Sequence, residues 1–120
     1  MRIVAHPKTA QDNPYNRLLY SAVESAGVPV VAFDKAAVVS NGDILHLHWP
    51  ESFLRTESAF RARRKSSRLL KRLKRMKSCG AKIVWTAHNL RSHENRHPAI
   101  EDRFWKEFHP LLDGIHFLSE

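Results

Sequence analysis

Residues 81–94, AKIVWTAHNLRSHE, decide how the chain is read. Ile83, Val84 and Trp85 form a short apolar run rich in β-formers, with Gly80 before it and a polar stretch after it, the pattern of a buried strand. The polar half carries His88, Asn89, His93 and Glu94, and Pro98 then opens a helical pattern. A strand that empties into a polar loop just ahead of a helix is where open α/β sheets place ligands. His88 and Asn89 are therefore the first candidates for a site.

Working outward, strands and helices alternate. Arg2–Ala5 reads as strand one, and residues 6–14 as a polar loop. Asn13 is the expected N-cap of a helix with Pro14 at its first position. Leu18, Leu19, Ala22, Val23 and Ala26 give this helix its spacing, and Gly27 closes it. Val28–Phe33 is strand two, where Pro29 is tolerable near the start or on a sheet edge. Asp43–Trp49 is strand three; His46 and His48 alternate with Leu45 and Leu47, so the two histidines share one face. Arg55–Ser78 reads as a long amphipathic helix whose buried stripe is Ala59, Ala62, Ser66, Leu69, Leu73 and Met76, widened by Leu70. Ala81–Ala87 is strand four. The helix from Pro98 shows Ile100, Phe104, Phe108 and Leu111 on one face, flanked by Trp105 and Leu112, and Gly114–Leu118 is strand five. Alternating strands and helices imply right-handed crossovers and a parallel sheet. The expected fold is α/β and Rossmann-like: about five parallel strands in the order 3-2-1-4-5, with helices on both faces.

At 120 residues the chain is one domain, and 42% hydrophobic content excludes a disordered one. No apolar run is long enough to span a membrane, and no secretory pattern precedes the first strand. Cys79 is the lone cysteine, expected to be a buried thiol at a helix end. The absence of a signal and of a disulfide points to the cytoplasm.

The formal charge of +8 is concentrated. Between Arg55 and Lys77 there are eleven Lys or Arg and one acid, Glu57, a net of +10 that leaves the other residues at −2. One basic element on a nearly neutral body argues for a localised anionic partner. Arg61, Arg64, Lys65, Arg68, Lys71, Arg72 and Arg75 are the candidate docking cations. They suit a solvated face, or an anionic membrane surface or phosphorylated lipid. Nucleic acid is the weakest reading, because the polar face carries neither aromatics nor Asn or Gln for base contacts.

Several chemistries lack their motifs. Residues 93–97, HENRH, match H-E-x-x-H, but that zinc pattern needs a helix, and Pro98 pushes His97 out of helical geometry. His46 and His48 supply two possible metal ligands from one strand, and the favoured reading is a polar cleft rather than a metal site. The loop after strand one has no glycine, which excludes both the dinucleotide fingerprint and the P-loop; no G-x-S-x-G occurs either. No cofactor and no metal are expected. A neutral imidazole and an amide at a strand end, His88 and Asn89, can hydrogen-bond sugar hydroxyls or phosphate oxygens.

Three segments together resemble the N-terminal half of bacterial GT-B glycosyltransferases of the exopolysaccharide-assembly type. They are Asn13-Pro14-Tyr15 with Arg17-Leu18-Leu19-Tyr20, then residues 43–51, DILHLHWPE, and Trp85-Thr86-Ala87-His88-Asn89-Leu90 with His93-Glu94. The resemblance implies an acceptor-side domain whose nucleotide-sugar domain is absent here. The enzyme would move a sugar from a nucleotide-sugar donor to a membrane-linked glycan, often on a polyprenyl diphosphate. It would work in the cytoplasm, peripherally on the inner face of the plasma membrane. By the same resemblance His88 faces the interdomain cleft near the donor sugar, with Asn89, His93 and Glu94 in its loop. Asn13 and Tyr15 lie in that cleft, and His48 and Glu51 line the acceptor side. His88 or Glu51 is the candidate base. These 120 residues alone are expected to be inactive. The competing reading is a small non-enzymatic α/β module that docks an anionic partner through the basic helix.

Overall fold

The computed structural model describes residues 1–8, 14–34, 39–88 and 96–117. Asn13, Asn89, His93 and Glu94 lie outside the described residues. Five strands form one sheet: β1 (Ile3–His6), β2 (Val30–Ala32), β3 (Ile44–Leu47), β4 (Lys82–Ala87) and β5 (Gly114–Phe117). The helices are α1 (Tyr15–Ser25), α2 (Ala59–Ser78) and α3 (Pro98–Phe108), with 3-10 turns at Pro50–Leu54 and His109–Leu111. Every strand pair is parallel. The fold is α/β and Rossmann-like.

The strand order is β2-β1-β3-β4-β5, which corrects the expected 3-2-1-4-5. Strand three lies between β1 and β4, pairing Leu45 with Val4 on one side and Ile83 on the other. Its apolar side chains Leu45 and Leu47 are fully buried, as a central strand requires. Strand two is displaced to the edge. It has only three residues, ends on exposed Ala32 and follows Pro29, which has no N–H to donate. The chain therefore runs from β1 out to β2 and crosses back to β3. The switch point of the sheet falls between β1 and β3, and ligand crevices open at such points beyond the carboxyl ends of the strands.

Strand alternation divides the interior into two parts. Val4, Leu45, Leu47, Ile83 and Trp85 face α2 and α3, packing with Leu69, Leu73, Met76, Phe104 and Phe108. Ala5 and Val30 face the other way and pack with Tyr20, partly covered by Ile3, Leu19 and Val23. Helices thus cover both faces, α1 on one and α2 with α3 on the other. The long helix begins at Ala59 rather than Arg55, because residues 50–54 form a 3-10 turn and the Ser58 hydroxyl caps it, accepting from Arg61 N at 3.3 Å. Ala59, expected in the buried stripe, is accordingly exposed at the helix start. Cys79 is also exposed rather than buried, since it ends α2 on the outer side of the turn.

Candidate polar relay at the switch-point crevice

The alternation that buries Leu45 and Leu47 sends His46 and His48 to the α1 face. There they meet Tyr20, a 2% exposed side chain of α1. Its hydroxyl lies 2.9 Å from His46 Nδ1 and 2.6 Å from His48 Nε2. The second nitrogen of each imidazole is also engaged. His46 Nε2 is 2.6 Å from Thr86 Oγ1, and His48 Nδ1 is 2.8 Å from His88 Nε2. Thr86 Oγ1 is in turn 3.4 Å from His116 Nδ1 on β5. Six side chains, from α1, β3, β4, β5 and the residues just beyond β3 and β4, thus form one continuous chain of hydrogen bonds.

Backbone contacts hold this chain at the crevice. His48 N donates to the carbonyl of His6 at 3.0 Å, extending the β1–β3 ladder by one residue. The Trp85 indole donates to the His48 carbonyl at 3.3 Å. His88 emerges half-buried at the end of β4. It stacks on Trp49 with ring centroids 4.3 Å apart, while Tyr15 meets its edge at 5.5 Å. Asn16, fully buried, donates to the Pro7 carbonyl at 2.8 Å and so ties α1 to the loop after β1.

The electrostatics keep His46, His48 and His88 uncharged. Burial pushes His48 down to about 3, with the neighbouring histidines adding to the effect. Burial likewise lowers His46 to about 4, helped by His116 and His88. His88 is lowered by burial and then by His116. Burial raises the Tyr20 hydroxyl above its ordinary value. At neutral pH Tyr20, His46, His48 and His88 are therefore neutral, and each is both donor and acceptor. His88 is its half-buried end at the crevice, oriented by two aromatic rings and able to accept or donate one proton.

Of the expected site residues, Tyr15, His48 and His88 come together here. Glu51 does not join them: it is buried in the 3-10 turn, its carboxyl raised by burial, with Arg55 and Glu101 as its charged neighbours. Asn13, Asn89, His93 and Glu94 are outside the described residues. His97 has non-helical φ −134° and ψ 73°, and its Nε2 donates to the Thr56 carbonyl at 2.6 Å. Among the described residues no three His, Cys, Asp or Glu converge as metal ligands. Sequence reasoning missed Tyr20, Thr86, Trp49 and His116 as site members. Thr86 shares the two-residue period with His88, which was a usable signal; Tyr20 stands outside the helix's apolar spacing and enters only as the last residue of the Arg17–Tyr20 segment.

The basic helix presents its cations outward. Arg61, Arg64, Lys65, Arg68, Lys71 and Arg75 are exposed, and Phe60 beside them is 72% exposed. Arg72 differs: its guanidinium lies 4.2 Å over the Phe33 ring and donates to the Asp34 carbonyl. A cleft of about 890 Å³ opens beside this face, between Lys65, Arg68 and Arg72 on α2 and the rings of His6, Phe33 and Phe53. No helix among the described residues is long and apolar enough to cross a membrane.

No family model matches the chain, and no solved structure matches it significantly. Two curated proteins do. They are GDP-mannose:glycolipid 4-beta-D-mannosyltransferases of Xanthomonas campestris pv. campestris, each 37% identical over 98 residues, or 82% of this chain. The chain spans 26% of the length of these relatives. It is similar, then, to part of a glycosyltransferase.

Proposed function

We propose that this chain is the acceptor-side part of a glycosyltransferase that moves a sugar from a nucleotide sugar to a glycolipid in exopolysaccharide assembly. The similarity to glycolipid mannosyltransferases supports this reading and makes GDP-mannose the first donor to try. The observation that carries it is His88, a neutral imidazole held half-exposed at the switch-point crevice by Trp49 and Tyr15. Sugar transfer passes through an oxocarbenium-like transition state while the acceptor hydroxyl loses its proton. An oriented neutral imidazole suits that proton. We give the role to His88 rather than to Glu51, whose carboxyl is buried beside Arg55 and Glu101. Tyr15 and His48 would line the same cleft. The leaving diphosphate needs a donor-binding domain outside these residues, so the 120 residues alone should turn over no nucleotide sugar.

The cationic face of α2 supports peripheral docking on an anionic membrane, on the cytoplasmic side. The glycolipid phosphate would sit in the cleft beside Lys65, Arg68 and Arg72. Several Lys and Arg near such a surface contribute about 1 kcal/mol each, and exposed Phe60 can insert among the headgroups. The test is transfer of radiolabelled mannose to membrane glycolipid by the polypeptide that contains this chain. His88→Ala should lower transfer by about a hundredfold or more, the range of one general base. Undiminished transfer in His88→Ala would remove His88 from the reaction. No transfer from any nucleotide sugar, together with tight binding to anionic vesicles, would favour the docking module instead.

A further inference from the structure

His97 donates to a backbone carbonyl, an acceptor that can never donate, so its tautomer is fixed. The chain from His116 to His88 contains no such fixed group. Each of its members, whether hydroxyl or imidazole, can donate through its one O–H or N–H bond and accept at a lone pair. Two proton arrangements therefore satisfy every link. In one, His46, His48 and His88 all carry the proton on Nε2; in the other, all three carry it on Nδ1. The Tyr20 hydroxyl donates to His46 in the first and to His48 in the second.

We propose that Tyr20, His46, His48 and Thr86 form a proton relay between His88 at the crevice and His116 on β5. The balance closes without a buried charge. His88 Nδ1 takes a proton from a hydroxyl in the crevice, and its Nε2 proton passes to His48 Nδ1. The His48 Nε2 proton passes to Tyr20 Oη, the Tyr20 proton to His46 Nδ1, the His46 Nε2 proton to Thr86 Oγ1, and the Thr86 proton to His116 Nδ1. Exposed His116 releases its Nε2 proton to water. Each O–H or N–H bond broken is matched by one formed, and the hydroxyl is left as the nucleophilic oxygen. A proton travelling the other way restores the first arrangement. Burial explains why a relay is needed: His48 is 1% exposed, and a charge resting there would be desolvated. Among the described residues, the titratable groups facing the relay are His6 from β1, Tyr15 from α1 and the members themselves. None of these is a carboxylate or a permanent cation.

The relay itself does not depend on the reaction; its use in removing an acceptor proton rests on the sugar-transfer reading. The experiment is nitrogen NMR of this chain with 15N-labelled histidine. The fractions of Nδ1–H tautomer at His46, His48 and His88 should be equal and change together with temperature. A coupling should also cross the His48–His88 hydrogen bond. Tyr20→Phe removes the central hydroxyl and should uncouple His46 from the other two. Thr86→Val is the second variant. It leaves His46 Nε2 without a partner, so all three histidines should shift together toward Nδ1–H, a change read at His88 several links away. Unequal tautomer fractions in the wild type, or tautomers at His88 that ignore Thr86→Val, would overturn the relay whatever the activity. In the transferring polypeptide, Tyr20→Phe should slow transfer about tenfold and reduce a multi-proton solvent isotope effect to a single-proton one. Coupled tautomers with no transfer to any glycolipid would overturn the sugar-transfer reading and leave the relay standing.

Discussion

At the N-terminal ends of the strands, polar groups are charged and pinned to fixed partners. Asp43 accepts from Arg2 N at 3.2 Å, Arg2 Nε at 3.1 Å and Ser40 N at 2.9 Å. Asp113 accepts from Ile83 N at 2.9 Å and Lys77 Nζ at 3.0 Å. At the C-terminal ends the polar groups are neutral and pinned to one another, through Tyr20 and the histidines. The first arrangement has one low-energy proton state, whereas the second has two. A sheet with fixed charges at one end and exchangeable protons at the other separates stability from chemistry, and each end can be perturbed without the other.

The largest expected effect lies at the charged end. Asp43 is 4% exposed, and its alanine variant removes the carboxylate that Arg2 N, Arg2 Nε and Ser40 N donate to. Asp43→Ala should cost about 3 kcal/mol of stability, at the upper end for hydrogen bonds to a charged group. Denaturant unfolding would measure it, and the tautomer fractions at His46 and His48 should stay unchanged. A tautomer shift in Asp43→Ala would break the separation of the two ends.

Acid should act on the relay end first. His46 at about 4 and His48 at about 3 lie below the ordinary imidazole value of 6.5. The unfolded chain therefore binds more protons than the folded one as pH falls from 6.5 toward 4. Stability is full above 6.5 and declines through that window, by up to about 1.4 kcal/mol per pH unit for each group. Asp43, although burial opposes it, is held below its usual value by Ser40 N–H and Arg2, so its contribution persists until the pH falls below the usual carboxylate range. Thermal melts between pH 7 and 4 should show the decline, and His48→Gln should flatten it. An equal slope in that variant would assign the acid sensitivity elsewhere.

The two ends were not equally legible in the sequence. The strand at residues 81–87, the glycine turns and the apolar faces of α2 and α3 follow from periodicity and composition, which depend on near neighbours. Period two also placed His46 and His48 on one face. It did not reveal that the face belongs to Tyr20, because the periodicity of one helix says nothing about which strand side chain its hydroxyl will meet. The strand order failed for a related reason. Whether the chain returns across β1 after β2 depends on which strand best fills the centre, and the cues, the shortness of β2 and Pro29 at its start, are weak in sequence and decisive in the sheet. Moving strand three beside β1 also moved the crevice, and that is what joins His48 to His88.

A smaller effect tests the charged end through its backbone. Gly80 turns the chain from α2 into β4 at φ +94°, where a Cβ would also meet the Asn41 side chain. Gly80→Ala should cost about 1 kcal/mol from the left-handed backbone alone, since exposed Asn41 can move aside. A loss several times larger would mean that Asn41 is held, and that this turn contributes more to the N-terminal end than its hydrogen bonds indicate.

The smallest effect should come from Lys77, and it separates charge from backbone at the same end. Lys77 and Asp113 are 30% and 29% exposed as side chains, so their attraction is screened. Asp113 lies below its usual carboxyl range first because Ile83 N–H donates to it, and only then because of Lys77. Lys77→Met should therefore lower stability by about 0.5 kcal/mol or less at low salt, and by less still at high salt. Asp113 would keep most of its depressed value, and its contribution would still be lost only as pH falls through that value. If Lys77→Met instead cost as much as Asp43→Ala, the N-terminal end would depend on net charge rather than on fixed backbone donors. Its contrast with the neutral relay would then be one of charge alone.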